Sequence, residues 1–86
     1  MANNPIQRAV DVTGDWAPLS AVSLVFSGEI GCPPGNAAPV LFLGDDGSEV
    51  PWVPGESHAF RSVDLAEVKV KGTAGDVVTV VGGSWG

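Results

Sequence analysis

The sequence predicts an all-β chain: a small β-sandwich or barrel of six to seven short, mainly antiparallel strands. Three observations predict it. Twelve glycines and seven prolines among 86 residues interrupt the chain at short intervals, and these residues punctuate turns. Between them, apolar and polar residues alternate over four to eight positions, the period of a strand. No stretch keeps the 3.6-residue spacing of a convincing helix.

Taken in order, Asn3 to Pro5 is a polar lead-in, and Arg8 to Thr13 alternates Val10 and Val12 with Asp11 and Thr13, a first strand. Gly14 to Pro18 is a turn or loop. Ser20 to Ser27 predicts a strand with Val22, Leu24 and Phe26 on one face. Gly28 to Pro39, with Gly31-Cys32-Pro33-Pro34-Gly35, predicts an extended loop. Pro39 to Leu43 is a short apolar strand. Gly44-Asp45-Asp46-Gly47 signals a hairpin, because Asp-Gly tolerates the positive φ that such turns need. The return strand, Ser48 to Val53, contains Pro51, which places it at a sheet edge or a bulge. Pro54-Gly55 turns the chain into a strand from Glu56 to Ser62. Val63 to Leu65 is a corner, and Ala66 to Lys71 alternates again. Gly72 to Asp76 predicts a hairpin turn before the last strand, Val77 to Val81. Local order implies a meander. Residues 1–86 form a single domain, with 1–7 and 82–86 as terminal arms.

Composition narrows the function classes. Ten acidic residues against Arg8, Arg61, Lys69 and Lys71 leave a net charge of −6. Four scattered cations do not make a phosphate-binding patch, so neither nucleic acid nor an anionic membrane is an expected partner. A single cysteine excludes an internal disulfide, and Cys32 and His58 do not make a zinc pattern. Met-Ala-Asn-Asn-Pro carries no basic or apolar leader region, so no signal peptide is expected. No apolar run approaches the ~20 residues of a membrane-spanning helix.

Chemistry-bearing constellations are few. Cys32 with His58 would be a nucleophile and base, but no local oxyanion loop accompanies them. No catalytic residue and no cofactor are therefore assigned, and the chain is expected to be non-enzymatic. Asp45, Asp46, Ser48 and Glu49 cluster at the hairpin tip without the EF-hand spacing, so no metal site is assigned; a cation shared with a neighbouring chain stays open for Asp45, Asp46 and Glu49. Gly72-Thr73-Ala74-Gly75-Asp76 lacks the Lys-Ser/Thr of a phosphate loop.

The apolar residues are more informative. Several strands are apolar on both faces: Val77 and Val81 oppose Val78 and Val80, and Leu41 and Leu43 oppose Val40 and Phe42. Val25 adds an apolar residue to an otherwise polar face. A small two-layer body needs one apolar face per strand, so the second set is expected to be covered by another chain. Trp16, Trp52 and Trp85 stand beside turns or the chain end, and tryptophan is enriched at interface hot spots. The expected interface is Trp16, Val25, Leu41, Leu43, Trp52, Val77, Val81 and Trp85.

Phe60-Arg61-Ser62-Val63-Asp64-Leu65-Ala66-Glu67-Val68-Lys69-Val70-Lys71-Gly72-Thr73-Ala74-Gly75-Asp76, followed by Val77 to Gly83, resembles the C-terminal half of small β-rich virion proteins of tailed bacteriophages. The resemblance covers about a third of the chain and consists of turn and strand residues. It implies a structural protein: a capsid decoration (cement) protein, head fibre or tail component. A short, acidic, disulfide-free chain with surplus apolar surface favours decoration. The implied partner is a major capsid protein, the implied location is the capsid surface after synthesis in the host cytoplasm, and the implied homo-oligomer is, by analogy, a trimer. The alternative is a small receptor- or glycan-binding module of a tail or fibre, using Trp16 or Trp52.

Overall fold

A computed structural model describes the backbone of residues 3–85 and the side chains of residues 4–84. Among them the chain forms β1 (Asn3–Asp11), β2 (Ala17–Pro18), β3 (Val25–Gly31), β4 (Val40–Leu43), β5 (Glu49–Trp52), β6 (Ser57–Asp64), a single 3₁₀ turn (Leu65–Glu67), β7 (Lys69–Lys71) and β8 (Val77–Trp85). They make two antiparallel four-stranded sheets, one in the order β1-β8-β3-β6 and the other β2-β7-β4-β5. The molecule is a small β-sandwich and not a closed barrel.

The order is not a meander. Only β4 and β5 pair as sequence neighbours, across the Gly44–Gly47 turn, where Gly47 takes φ 87° and its N–H donates to the Gly44 carbonyl. The Gly72–Asp76 segment, expected to be a hairpin turn, carries the chain from β7 in one sheet to β8 in the other.

The two terminal segments expected to be arms pair with each other instead over 3–6 and 82–85; residues 1, 2 and 86 lie outside the described residues. β1 and β8 run in unbroken register from Asn3 opposite Trp85 to Asp11 opposite Val77. Two strands far apart in sequence satisfy each other's backbone groups there, which nothing in a polar, glycine-rich tail signals locally. The strand expected at Ser20–Ser27 is also displaced: β3 starts at Val25 and continues through Gly31. Ser20 Oγ donates to the Val22 carbonyl at 2.7 Å and closes a local turn. Val22 is left 71% exposed.

Alternation along the strands fills the space between the sheets. Ile6, Phe26, Ile30, Val78 and Val80 point inward from one sheet, and Val40, Phe42, Trp52 and Val70 from the other; Val12, Leu19, Cys32 and Leu65 close the ends. The long loop after β3 is tied to this body by two side chains. Asn36 Nδ2 donates to the Val77 carbonyl (2.8 Å) and the Val77 N–H donates back to Asn36 Oδ1 (3.0 Å), so the amide continues the backbone pairing of β8. The buried Asp76 carboxylate accepts the N–H groups of Ala37 and Ala38. These charge-assisted bonds hold a proline-rich segment that has no ladder of its own.

Asp64 does similar work at the other end. It caps the 3₁₀ turn by accepting from the Ala66 N–H, and it also accepts from the Ser23 hydroxyl (2.6 Å) and the Leu24 N–H (2.9 Å). The Ser23 bond first, then the two backbone bonds, hold its pKa below the ordinary carboxylate value. A carboxylate with a depressed folded pKa contributes stability above its unfolded pKa, near about 4, and loses it as pH falls through the lower folded value. The melting temperature is therefore expected to fall from about pH 4 downward. In Asp64→Asn the starting Tm at pH 7 is lower and the acid-side fall is shallower. Parallel acid curves for the two proteins would refute the assignment.

Candidate interaction surfaces

Parity on β4 sends Val40 and Phe42 into the core and Leu41 and Leu43 outward. The register sets Leu41 between Pro51 of β5 and Lys71 of β7, and Leu43 opposite Glu49. Lys71 Nζ lies 4.8 Å from the centroid of the Trp16 ring and 3.8 Å from Glu49 Oε1. The outer face of this sheet is thus an apolar strip of Trp16, Leu41, Pro51 and Leu43, flanked by two lysines and a glutamate. Leu43 is 37% exposed, and Trp16 and Leu41 are half-buried. Three of the expected interface residues meet here.

The others are dispersed. Val81 (53% exposed) lies on the outer face of the opposite sheet, between Gln7 and Glu29, and Val25 is exposed at the start of β3. Val77 is half-buried and held through its backbone by Asn36. The Trp85 backbone pairs with Asn3, and its side chain lies outside the described residues. Trp52 is no surface anchor. It is 6% exposed, stacked on Phe42 at 3.7 Å between centroids and aligned with Phe60 at 6.2 Å. Its position opposite Val40 on β5 turns it inward, where a turn-flanking tryptophan closes the open side of the sandwich.

A cleft of about 480 Å³ opens beside that stack. Phe42, Trp52 and Phe60 line it, with Val63 and Val68, and the exposed Asp45, Glu67 and Lys69 stand at its mouth. Nothing in the sequence marks Phe42, Phe60, Val63 or Val68 as site residues. Their signal was ordinary alternation, and only the stacking of two sheets brings strands 4, 5 and 6 to one end. The walls of the cleft are mainly apolar and its rim is charged.

The remaining constellations are held by different partners. Cys32 is buried, and its sulfur accepts from Asn36 Nδ2. His58 Nε2 lies 2.6 Å from Glu56 Oε2, and its ring packs T-shaped against Trp52 at 4.6 Å between centroids. Asp46 caps its own turn by accepting from the Ser48 N–H, and hydrogen bonding by the Ser48 side chain first, then by that N–H, lowers its pKa. Among the described residues no group of three potential metal-binding side chains comes together. Compared with protein-family models, curated proteins and solved structures, the chain matches none.

Proposed function

We propose that this chain is a non-enzymatic virion structural protein that decorates a phage capsid by laying the outer face of the β2-β7-β4-β5 sheet on subunits of the major capsid protein. The observation that supports this reading is the two-sidedness of that sheet. Its inner face is spent on the core, and its outer face still presents Trp16, Leu41, Leu43 and Pro51 in one strip. Aromatic and aliphatic side chains on a rigid sheet surface, with a charged rim, suit a protein interface. The net charge of −6 disfavours contact with packaged nucleic acid. The resemblance of residues 60–83 to small virion proteins points the same way.

The test is co-sedimentation with shells assembled from a phage major capsid protein. Leu41→Asp combined with Leu43→Asp is expected to lower occupancy at least about tenfold, equivalent to about 1.4 kcal/mol, while far-UV circular dichroism is unchanged. Unchanged occupancy in a folded double variant overturns the reading. The cleft favours a second reading, a receptor- or glycan-binding module, because the half-buried Phe60 ring beside the Asp45 and Glu67 carboxylates suits a hydroxyl-rich ligand. Saturable glycan binding by the isolated protein, lost in Phe60→Ala, would support that reading over decoration.

A further inference from the structure

A sandwich of two open sheets has four edges, and among the described residues three of them are short or broken. β2 is two residues long, β5 is four residues long and contains Pro51, and β6 is broken by a register shift opposite Phe26–Gly28 and by Ser62 at φ 51°. Short strands, edge prolines and bulges are the usual means of keeping a sheet from pairing further. β1 differs. It runs nine residues with no register shift, and the one such device in it is Pro5, near its start.

The hydrogen-bond pattern says which of its groups are free. The Val12 N–H donates to the Asp76 carbonyl directly across from it. In an antiparallel ladder the direction alternates, so Val10, Arg8 and Ile6 also bond β8, while Gln7, Ala9 and Asp11 turn their N–H and C=O outward. Pro5 shares that outward parity, so its missing N–H costs β8 nothing but withholds one bond from a strand that pairs with this edge. The strand is also close to neutral, with Arg8 and Asp11 as its charges in a chain of −6. Two copies can therefore approach here with less repulsion than elsewhere.

We propose that two copies of this chain pair through β1, antiparallel about a two-fold axis at Gln7, joining their β1-β8-β3-β6 sheets into one continuous sheet. The two-fold must run normal to the sheet, so residues facing each other share a face and their numbers sum to an even value. Centring on Arg8 would set two guanidinium groups face to face. Centring on Ala9 would push the partner past Asp11, where β1 ends. Centring on Gln7, the midpoint of Asn3–Asp11, uses the whole strand. It places Ile6 opposite Arg8, Asn3 opposite Asp11, and Pro5 opposite Ala9, so one ladder bond per copy, to the Ala9 carbonyl, is not made. Gln7 meets its own copy, and an amide carries both donor and acceptor, so it satisfies its twin. That self-match is the reason for a second copy as occupant, where any foreign strand would have to supply it. The pairing is two-fold and replaces the trimer expected by analogy.

The experiment is light scattering on size-exclusion fractions of the full chain up to about 0.2 mM, a range that detects even weak association. The expected result is a concentration-dependent shift from one to two copies, with slowed amide exchange at Gln7 and Ala9 as the dimer fills. Gln7→Lys sets like charges at the axis and is expected to weaken pairing at least about tenfold, with recovery in high salt, since exposed charges are screened. Ala59→Lys, at the opposite edge of the same sheet, is expected to pair normally. A wild-type monomer across the range, a trimer, or a Gln7→Lys protein that pairs as tightly as wild type would each overturn the proposal. Shell binding by monomeric Gln7→Lys tests decoration separately, because the decorating face lies on the other sheet.

Discussion

Trp52→Ala is expected to lower the unfolding free energy by about 3–5 kcal/mol, the range for truncating a buried large aromatic. The whole domain has about 4–13 kcal/mol to lose at the usual per-residue stability. Trp52 is the largest side chain closing the side of the sandwich where β5 and β6 leave the sheets unpaired. Its loss strips Phe42 of a stacking partner at 3.7 Å and Phe60 of an aligned ring, and it admits water between the sheets from the existing cleft. Urea unfolding followed by circular dichroism measures the effect. Trp52→Phe, which keeps an aromatic face against Phe42, is expected to cost less than half as much. A change within about 0.5 kcal/mol, as for an ordinary surface position, would return Trp52 to the surface and contradict its 6% exposure.

Gly82→Ala is expected to be comparably damaging for a different reason. A Cβ at Gly82 would overlap the Ser27 carbonyl oxygen and stand 2.7 Å from Gly28 Cα. Gly28 meets the same obstacle from the other side, against the Val81 carbonyl oxygen. The two glycines face each other in the β3–β8 register, and it is backbone, not a flexible side chain, that would have to move. Overpacking ordinarily costs about 1–3 kcal/mol; here a central strand pair must separate, so about 3 kcal/mol or more is expected. Gly14→Ala and Gly35→Ala, with open space at the Cβ position, are expected to stay within about 0.5 kcal/mol. Thermal and urea unfolding of the three variants make the comparison. Equal, small effects at all three positions would mean that residues 82–85 behave as a loose arm and not as the end of β8.

These two positions also separate what was legible from what was not. The Gly44–Gly47 hairpin, the edge character conferred by Pro51 and the turns at Pro54–Gly55 and Thr73–Asp76 follow from residue chemistry. Each depends on φ preferences and missing donors within a few residues. The two-faced apolar character of β4 was equally plain, and it led to Leu41 and Leu43. By contrast, Trp52 beside a turn resembles a surface anchor until the opposite sheet supplies Phe60. Gly82-Gly83 resembles a tail until Ser27 and Gly28 supply the strand beside it. The aromatic cleft draws Phe42, Trp52 and Phe60 from three strands, and no one of those segments announces it.

The amino-acid sequence alone determined the strand-and-turn composition, the acidic charge and the surplus of apolar side chains on β4 and β8. All are set by interactions among near neighbours along the chain. Tertiary structure alone decided the strand order, the pairing of β1 with β8, the burial of Trp52 and which strands became sheet edges. Those outcomes depend on which distant backbone groups satisfy each other, and a hydrogen-bonding edge looks the same from every strand until the sheets are assembled.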